Sequence, residues 1–141
     1  LVQQIRAAGH ALGNHTFSHA VPRWHQLRAP RADVRRCQEL VPARLFRAPL
    51  GKLTPGLWLA ARRERLECVS WSLDSNDWRC RTAADAATCA REVLELVRPG
   101  DIALFHDDHP WIVPILDVVL PALAARQLFP NTRSTTQHPR T

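Results

Sequence analysis

Lysine is almost absent. Lys52 is the only one among 19 lysines and arginines, which stand against 13 acidic residues, so the net charge of +6 and the isoelectric point near 10.4 rest on arginine. A balance of that sign favours anionic partners such as nucleic acid, an anionic membrane surface or an acidic polysaccharide. The arginines are scattered through RRCQ, ARRERL and CAREV, mixed with acids on helix-like text, which is the pattern of a solvated helix face. No nucleic-acid motif and no basic stripe interleaved with aromatics is present, so nucleic acid ranks last among the partners considered. An apolar run of about 18 residues is also missing, which leaves no transmembrane segment in this sequence. Cys37, Cys68, Cys80 and Cys89 form no C-x-x-C pair, a pattern that favours core packing or a single disulfide over a zinc cluster. Repeats of fixed period and low-complexity tracts are lacking too. The sequence opens at Leu1 in helix-like text, and the expectation is a polypeptide whose N-terminal segment is not included.

What remains is enough for one domain: 141 residues, 45% of them hydrophobic. Val2, Ile5 and Ala8 fall on one helical stripe that Gly9 stops. HALGNH reads as a short extended run, and two prolines mark residues 20–30 as a loop. Asp33 is expected to cap a helix carrying Val34, Cys37 and Val41. LFRAPLG reads as a strand entering a Pro/Gly turn. PGLWLAARRERL reads as a helix, and ECVSWSLD alternates like one strand. Thr82 with Asp85 forms a capping-box pattern ahead of a helix reaching Val97. DIALFHDD is a buried-type strand, and a last helix covers about 112–127, with Pro114 suited to its first turn and Pro121 expected to kink it. Helices and strands alternate strictly, which argues for a parallel α/β sheet or barrel spanning 1–129, followed by a polar tail at 130–141.

The chemically capable residues cluster where these strands end: His15 and His19, Arg47, Asp74 with Asp77 and Trp78, and His106 with Asp107. Active sites of open α/β sheets and barrels sit at that edge. Each group also has an ordinary explanation. A chain with seven histidines produces H-x-x-x-H by chance often enough, although neutral imidazoles after a Gly-Asn step suit zinc or a similar divalent ion. Arg47 in FRAPLG is an arginine on a turn or a fork for a carboxylate. Asp74 and Asp77 cap a helix or do chemistry, and Trp78 is core or a sugar-stacking wall. His106 is a surface histidine or a general acid oriented by a carboxylate.

In order, HTFSH, FRAP, SLDSNDW and LFHD resemble the motifs of the NodB-homology polysaccharide deacetylases, carbohydrate esterase family four. The resemblance covers most of the chain. It implies an incomplete, deformed (β/α) barrel lacking its first strand, and metal-dependent removal of acetyl groups from N-acetylglucosamine-type oligo- or polysaccharides. By the same resemblance His15 and His19 bind a divalent metal, most often zinc. His106 is the general acid, Asp74 the carboxylate that tunes it, and Arg47 orients the base. Trp78, Pro49 and Asp77 face substrate, and a main-chain N–H near FRAPLG helps hold the oxyanion. The family's T-F-D-D-G motif, which supplies the base and the third metal ligand, does not occur in these residues. The implied expectation is that this polypeptide is inactive alone and that the parent acts at the cell envelope. The alternative is a catalytically dead carbohydrate-binding module of the same fold.

Overall fold

The structure is a computed structural model and describes residues 1–128. The polar tail expected at 130–141 lies outside the described residues. Leu1–Ser70 make up one compact unit, and the described residues from Trp71 onward make up another.

The first unit runs α1 (Val2–Ala7), β1 (Gly13–Asn14), α2 (Pro30–Leu40), β2 (Leu45–Phe46), a 3₁₀ turn (Pro49–Gly51), α3 (Pro55–Arg63) and β3 (Glu67–Cys68). Its strands lie parallel in the order β1-β2-β3, with Gly13 opposite Leu45 and Leu45 opposite Glu67. The apolar faces of α2 and α3 close over the sheet: Val34, Phe46, Leu57 and Ala61 are completely buried. Of these, Val34, Phe46 and Leu57 each stabilise the fold by about 1.5–3 kcal/mol on burial. α3 starts where its sequence says it should, with the Thr54 hydroxyl accepting from Leu57 N and Pro55 at the first helical position. Gly56 lies so close to the Gln26 carbonyl oxygen that a Cβ would collide with it. That approach pins the 20–30 loop to α3.

α2 corrects one expectation. Its cap position is Ala29, Pro30 opens the helix, and Asp33 sits inside the first turn. Asp33 instead accepts from Ser18 N at 3.1 Å and from the Ser18 hydroxyl at 3.0 Å. Its carboxylate is spent on the histidine loop, and proline takes over the helix start.

The second unit runs β4 (Leu73–Asp74), a 3₁₀ turn (Asp77–Arg79), α4 (Ala83–Leu96), β5 (Ala103–Leu104) and α5 (Ile112–Ala125). β4 and β5 pair in parallel, and α4 packs on α5 around Ala90, Val93, Ile115 and Val119. The capping box forms as read: Asp85 N donates to the Thr82 hydroxyl and Thr82 N donates to the Asp85 carboxylate. Pro121 stands within α5, which continues to Ala125.

ECVSWSLD is not one strand. Glu67–Cys68 pairs with β2, whereas Leu73–Asp74 pairs with β5. Between them the chain changes partners, with Val69 N donating to Phe46 O and Ser72 N to Ile102 O. The Ser72 hydroxyl holds the turn by donating to Asp101 at 2.7 Å. All strand pairing is parallel, and among the described residues it closes no barrel. The architecture is an alternating α/β fold with two small parallel sheets, in keeping with an incomplete (β/α) barrel. All four cysteines are free.

Candidate active site

The histidine loop of the first unit is built from β1 outward. Asn14, fully buried, donates through Nδ2 to Val34 O at 2.9 Å and to Gln38 Oε1 at 3.2 Å, tying the strand end to α2. Its Oδ1 accepts from Thr16 N, and the Thr16 hydroxyl accepts from His19 N. Thr16 and His19 both adopt left-handed backbone, with φ of 64° and 57°. Non-glycine residues hold that conformation at a cost of about 1–3 kcal/mol each, and such strain concentrates at functional sites.

The turn brings the two imidazoles together. His15 Nδ1 lies 2.7 Å from the Arg47 carbonyl oxygen. A carbonyl only accepts, so Nδ1 carries the proton and Nε2 presents a lone pair. His19 Nε2 is 3.2 Å from His15 Nε2, with the rings edge to face. Two nitrogens held about 2.0–2.1 Å from a tetrahedral ion are about 3.3 Å apart, so the pair has the spacing of two zinc ligands. Without an ion the same geometry makes an N–H···N hydrogen bond. Among the described residues, no group of three or more His, Cys, Asp or Glu gathers to hold a metal.

Arg47 contributes its carbonyl to His15, while its main-chain N–H donates to Asn14 O at 2.9 Å. Its guanidinium reaches the carbonyl oxygens of Val69, at 3.4 Å, and Ser70, at 3.2 Å. Pro49, expected to shape a groove, is fully buried and heads the 3₁₀ turn.

The second unit holds a different device. Asp77 is completely buried, and its carboxylate accepts four hydrogen bonds. Oδ1 takes His106 Nδ1–H at 2.8 Å and Trp78 N–H at 3.0 Å. Oδ2 takes His106 N–H at 2.7 Å and His109 Nε2–H at 3.1 Å. Burial pushes the carboxyl up, but the His106, His109 and Ser75 hydrogen bonds outweigh it and hold Asp77 below the ordinary aspartate range. With Nδ1 tied down, His106 has Nε2 left for other business, on a ring that is 37% exposed.

The sequence reading put Asp74 behind His106 and Asp77 on the substrate side. The side chain in contact with His106 is Asp77; Asp74 Oδ1 instead accepts from Asn76 N at 2.9 Å, steadying a left-handed Asn76. Asp74 ends β4 and Asp77 opens the 3₁₀ turn after it, and only Asp77 points into the unit. Trp78 is 46% exposed, with the Arg79 guanidinium 4.8 Å over its ring. Sequence reasoning passed over Asn14, Thr16 and His109. Asn14 was visible only in the Gly-Asn step before His15, Thr16 only as the second letter of HTFSH, and His109 as the second member of H-x-x-H at 106–109. Burial pushes the Cys89 thiol up to about 12, with Cys80 and Asp77 adding to the effect, so this sulfur is no nucleophile.

Comparison with known proteins decides the family. The profile described as polysaccharide deacetylase matches residues 1–69. A chitooligosaccharide deacetylase of Azorhizobium caulinodans is 32% identical over 145 residues, an alignment covering 88% of this chain and 68% of that protein. The chain belongs to the polysaccharide deacetylase family. Another member, a chitooligosaccharide deacetylase of Bradyrhizobium, is 34% identical over 118 residues, covering 78% of this chain and 52% of its own. The crystal structure of a polysaccharide deacetylase from Bacillus cereus superposes with a TM-score of 0.73 at 25% identity, covering 89% of this deacetylase-family chain and 68% of that one. The family member described here thus spans between 52% and 68% of the length of these relatives.

Proposed function

We propose that this chain carries the metal-ligand pair and the general acid of a polysaccharide deacetylase. The reaction hydrolyses the acetamide C–N bond of N-acetylglucosamine-type sugars in an oligo- or polysaccharide at the cell envelope. The observation that carries the reading is the His106–Asp77 pair: an imidazole open to solvent whose Nδ1–H is fixed on a fully buried carboxylate. That arrangement leaves Nε2 to hold a proton and release it to a departing sugar amine, a poor leaving group as an anion.

In this reading His15 and His19 hold one divalent ion, zinc by the chemistry and spacing of the donors. When bound, the ion polarises the acetyl carbonyl and acidifies the attacking water. The Arg47 carbonyl fixes the His15 tautomer, as outer-shell carbonyls do in metal sites. Arg47 itself orients a carboxylate base, Trp78 offers an exposed indole face for a pyranose ring, and Pro49 shapes the groove from the 3₁₀ turn it heads. The base and the anionic third ligand come from an aspartate pair upstream of His15 in the parent polypeptide, so the 141-residue chain does not turn over alone.

Acetate release from N-acetylchitooligosaccharides tests this. A version extended upstream of Leu1 to include such a pair is expected to be active, to stop with EDTA, and to lose activity on His106→Ala. The 141-residue chain is expected to show no turnover. An inactive extended protein that still binds zinc and the oligosaccharide would replace the enzyme by a sugar-binding module of the same fold. EDTA-sensitive turnover by the short chain would remove the need for the upstream pair.

A further inference from the structure

Asp77 serves two imidazoles, and the proposed chemistry uses only one. His109 stands three residues after His106, at the mouth of α5, with its side chain 11% exposed. Its ring is constrained at both nitrogens. Trp111 N–H donates to His109 Nδ1 at 3.2 Å, so Nδ1 is a lone pair and the proton sits on Nε2. That Nε2–H then donates to Asp77 Oδ2 at 3.1 Å. The helix start thereby dictates the tautomer, and the tautomer dictates a donor aimed at the carboxylate.

The two oxygens of Asp77 have different duties. Oδ1 faces the His106 ring, whereas Oδ2 is gripped by His106 N–H and His109 Nε2–H. A carboxylate held on one oxygen by a single main-chain donor can rock about its Cβ–Cγ bond. A second donor on that oxygen stops the rocking and keeps Oδ1 on His106 Nδ1. The donors on Oδ2 are His106 N–H and His109 Nε2–H. Of the other groups around Asp77, the Ser75 hydroxyl accepts from Asp77 N at 3.3 Å and also helps to hold the carboxyl down, Trp78 N is main chain on Oδ1, and Cys80 and Cys89 are buried thiols whose charge Asp77 disfavours. Asp107 and Asp108 are exposed.

We propose that His109 is a positioning residue: a neutral imidazole, fixed by the first turn of α5, that locks the Asp77 carboxylate in the orientation His106 requires. The proposal deepens the deacetylase reading, since it concerns the same general acid, but its test does not depend on turnover.

The test is nitrogen-15 NMR of the 141-residue chain labelled in its histidines, with hydrogen exchange at the imidazole protons. In the unaltered chain His109 is expected as the Nε2–H tautomer; an Nδ1–H tautomer overturns the proposal without any variant. In His109→Leu the His106 Nδ1 proton is expected to exchange at least about tenfold faster, the equivalent of one hydrogen bond. In His109→Gln, whose amide N–H reaches the same oxygen, exchange should stay within about twofold of the unaltered chain. Should His109→Leu not fold, the tautomer and the glutamine variant decide. Unchanged exchange in a folded His109→Leu, or exchange in His109→Gln as fast as an unprotected imidazole, refutes the role. An inactive extended enzyme alongside these expected exchange rates would sink the deacetylase reading and leave the positioning role standing.

Discussion

Substituting Asp77 by asparagine keeps the shape and removes the charge, and the structure says how much that should cost. An asparagine has one acceptor oxygen and one donor NH₂, whereas all four partners of Asp77 are donors. With the NH₂ in the Oδ1 position it opposes Trp78 N–H; in the Oδ2 position it opposes His106 N–H. Neither main-chain group can change into an acceptor, so every rotamer strands one buried donor at a cost of about 1–3 kcal/mol. Losing the charge also weakens the hydrogen bonds that persist, by about 1 kcal/mol apiece. The expected loss is about 3–5 kcal/mol at pH 7, read as a drop in urea midpoint by circular dichroism. Because Asp77 is held below the ordinary aspartate range in the fold, the stability it lends is present above the unfolded value of about 3.9. It disappears as pH falls through the folded value. The gap between the two proteins should therefore narrow on going from pH 7 to pH 3. A loss under about 1 kcal/mol at pH 7, or a gap that does not change with pH, refutes the assignment of Asp77 as a buried, ionised four-fold acceptor.

Two further outcomes follow from the first unit. Gly56→Ala sets a methyl group against the Gln26 carbonyl oxygen and should destabilise by about 1–3 kcal/mol in the same urea assay; no loss would show that the 20–30 loop does not rest on α3. His15→Ala and His19→Ala should each weaken zinc binding at least about tenfold in competition with a chromogenic indicator, with the exposed His10→Ala as control. Equal effects from all three would place zinc elsewhere.

The sequence disclosed elements through periodicity and caps, and those two signals are local. Thr82 and Asp85 needed only each other, and the amphipathic spacing of PGLWLAARRERL announced a helix without help from the rest of the chain. What it hid was choice of partner. The alternation in ECVSWSLD is real, but nothing in those eight letters says that Glu67 pairs with Leu45 while Leu73 pairs with Ala103. Asp33 had the right residue type for a cap and was drawn off by Ser18, a contact 15 positions away. The candidate site shows the same divide. The imidazoles and aspartates could be picked out by type and by their place after strands. Which aspartate meets His106 depends on the left-handed step at Asn76, and that step follows from an Asx turn whose outcome for the next side chain is a matter of three-dimensional direction.

The anchoring of Asn14 has a consequence for kinetics. Because the turn carrying His15 and His19 takes its shape from α2 through that amide, the two rings are already in register before anything arrives between them, and binding need not recruit their order. Cutting the amide's links to Val34 and Gln38 would turn a preset grip into one assembled afresh at every encounter, and capture would slow more than release would quicken.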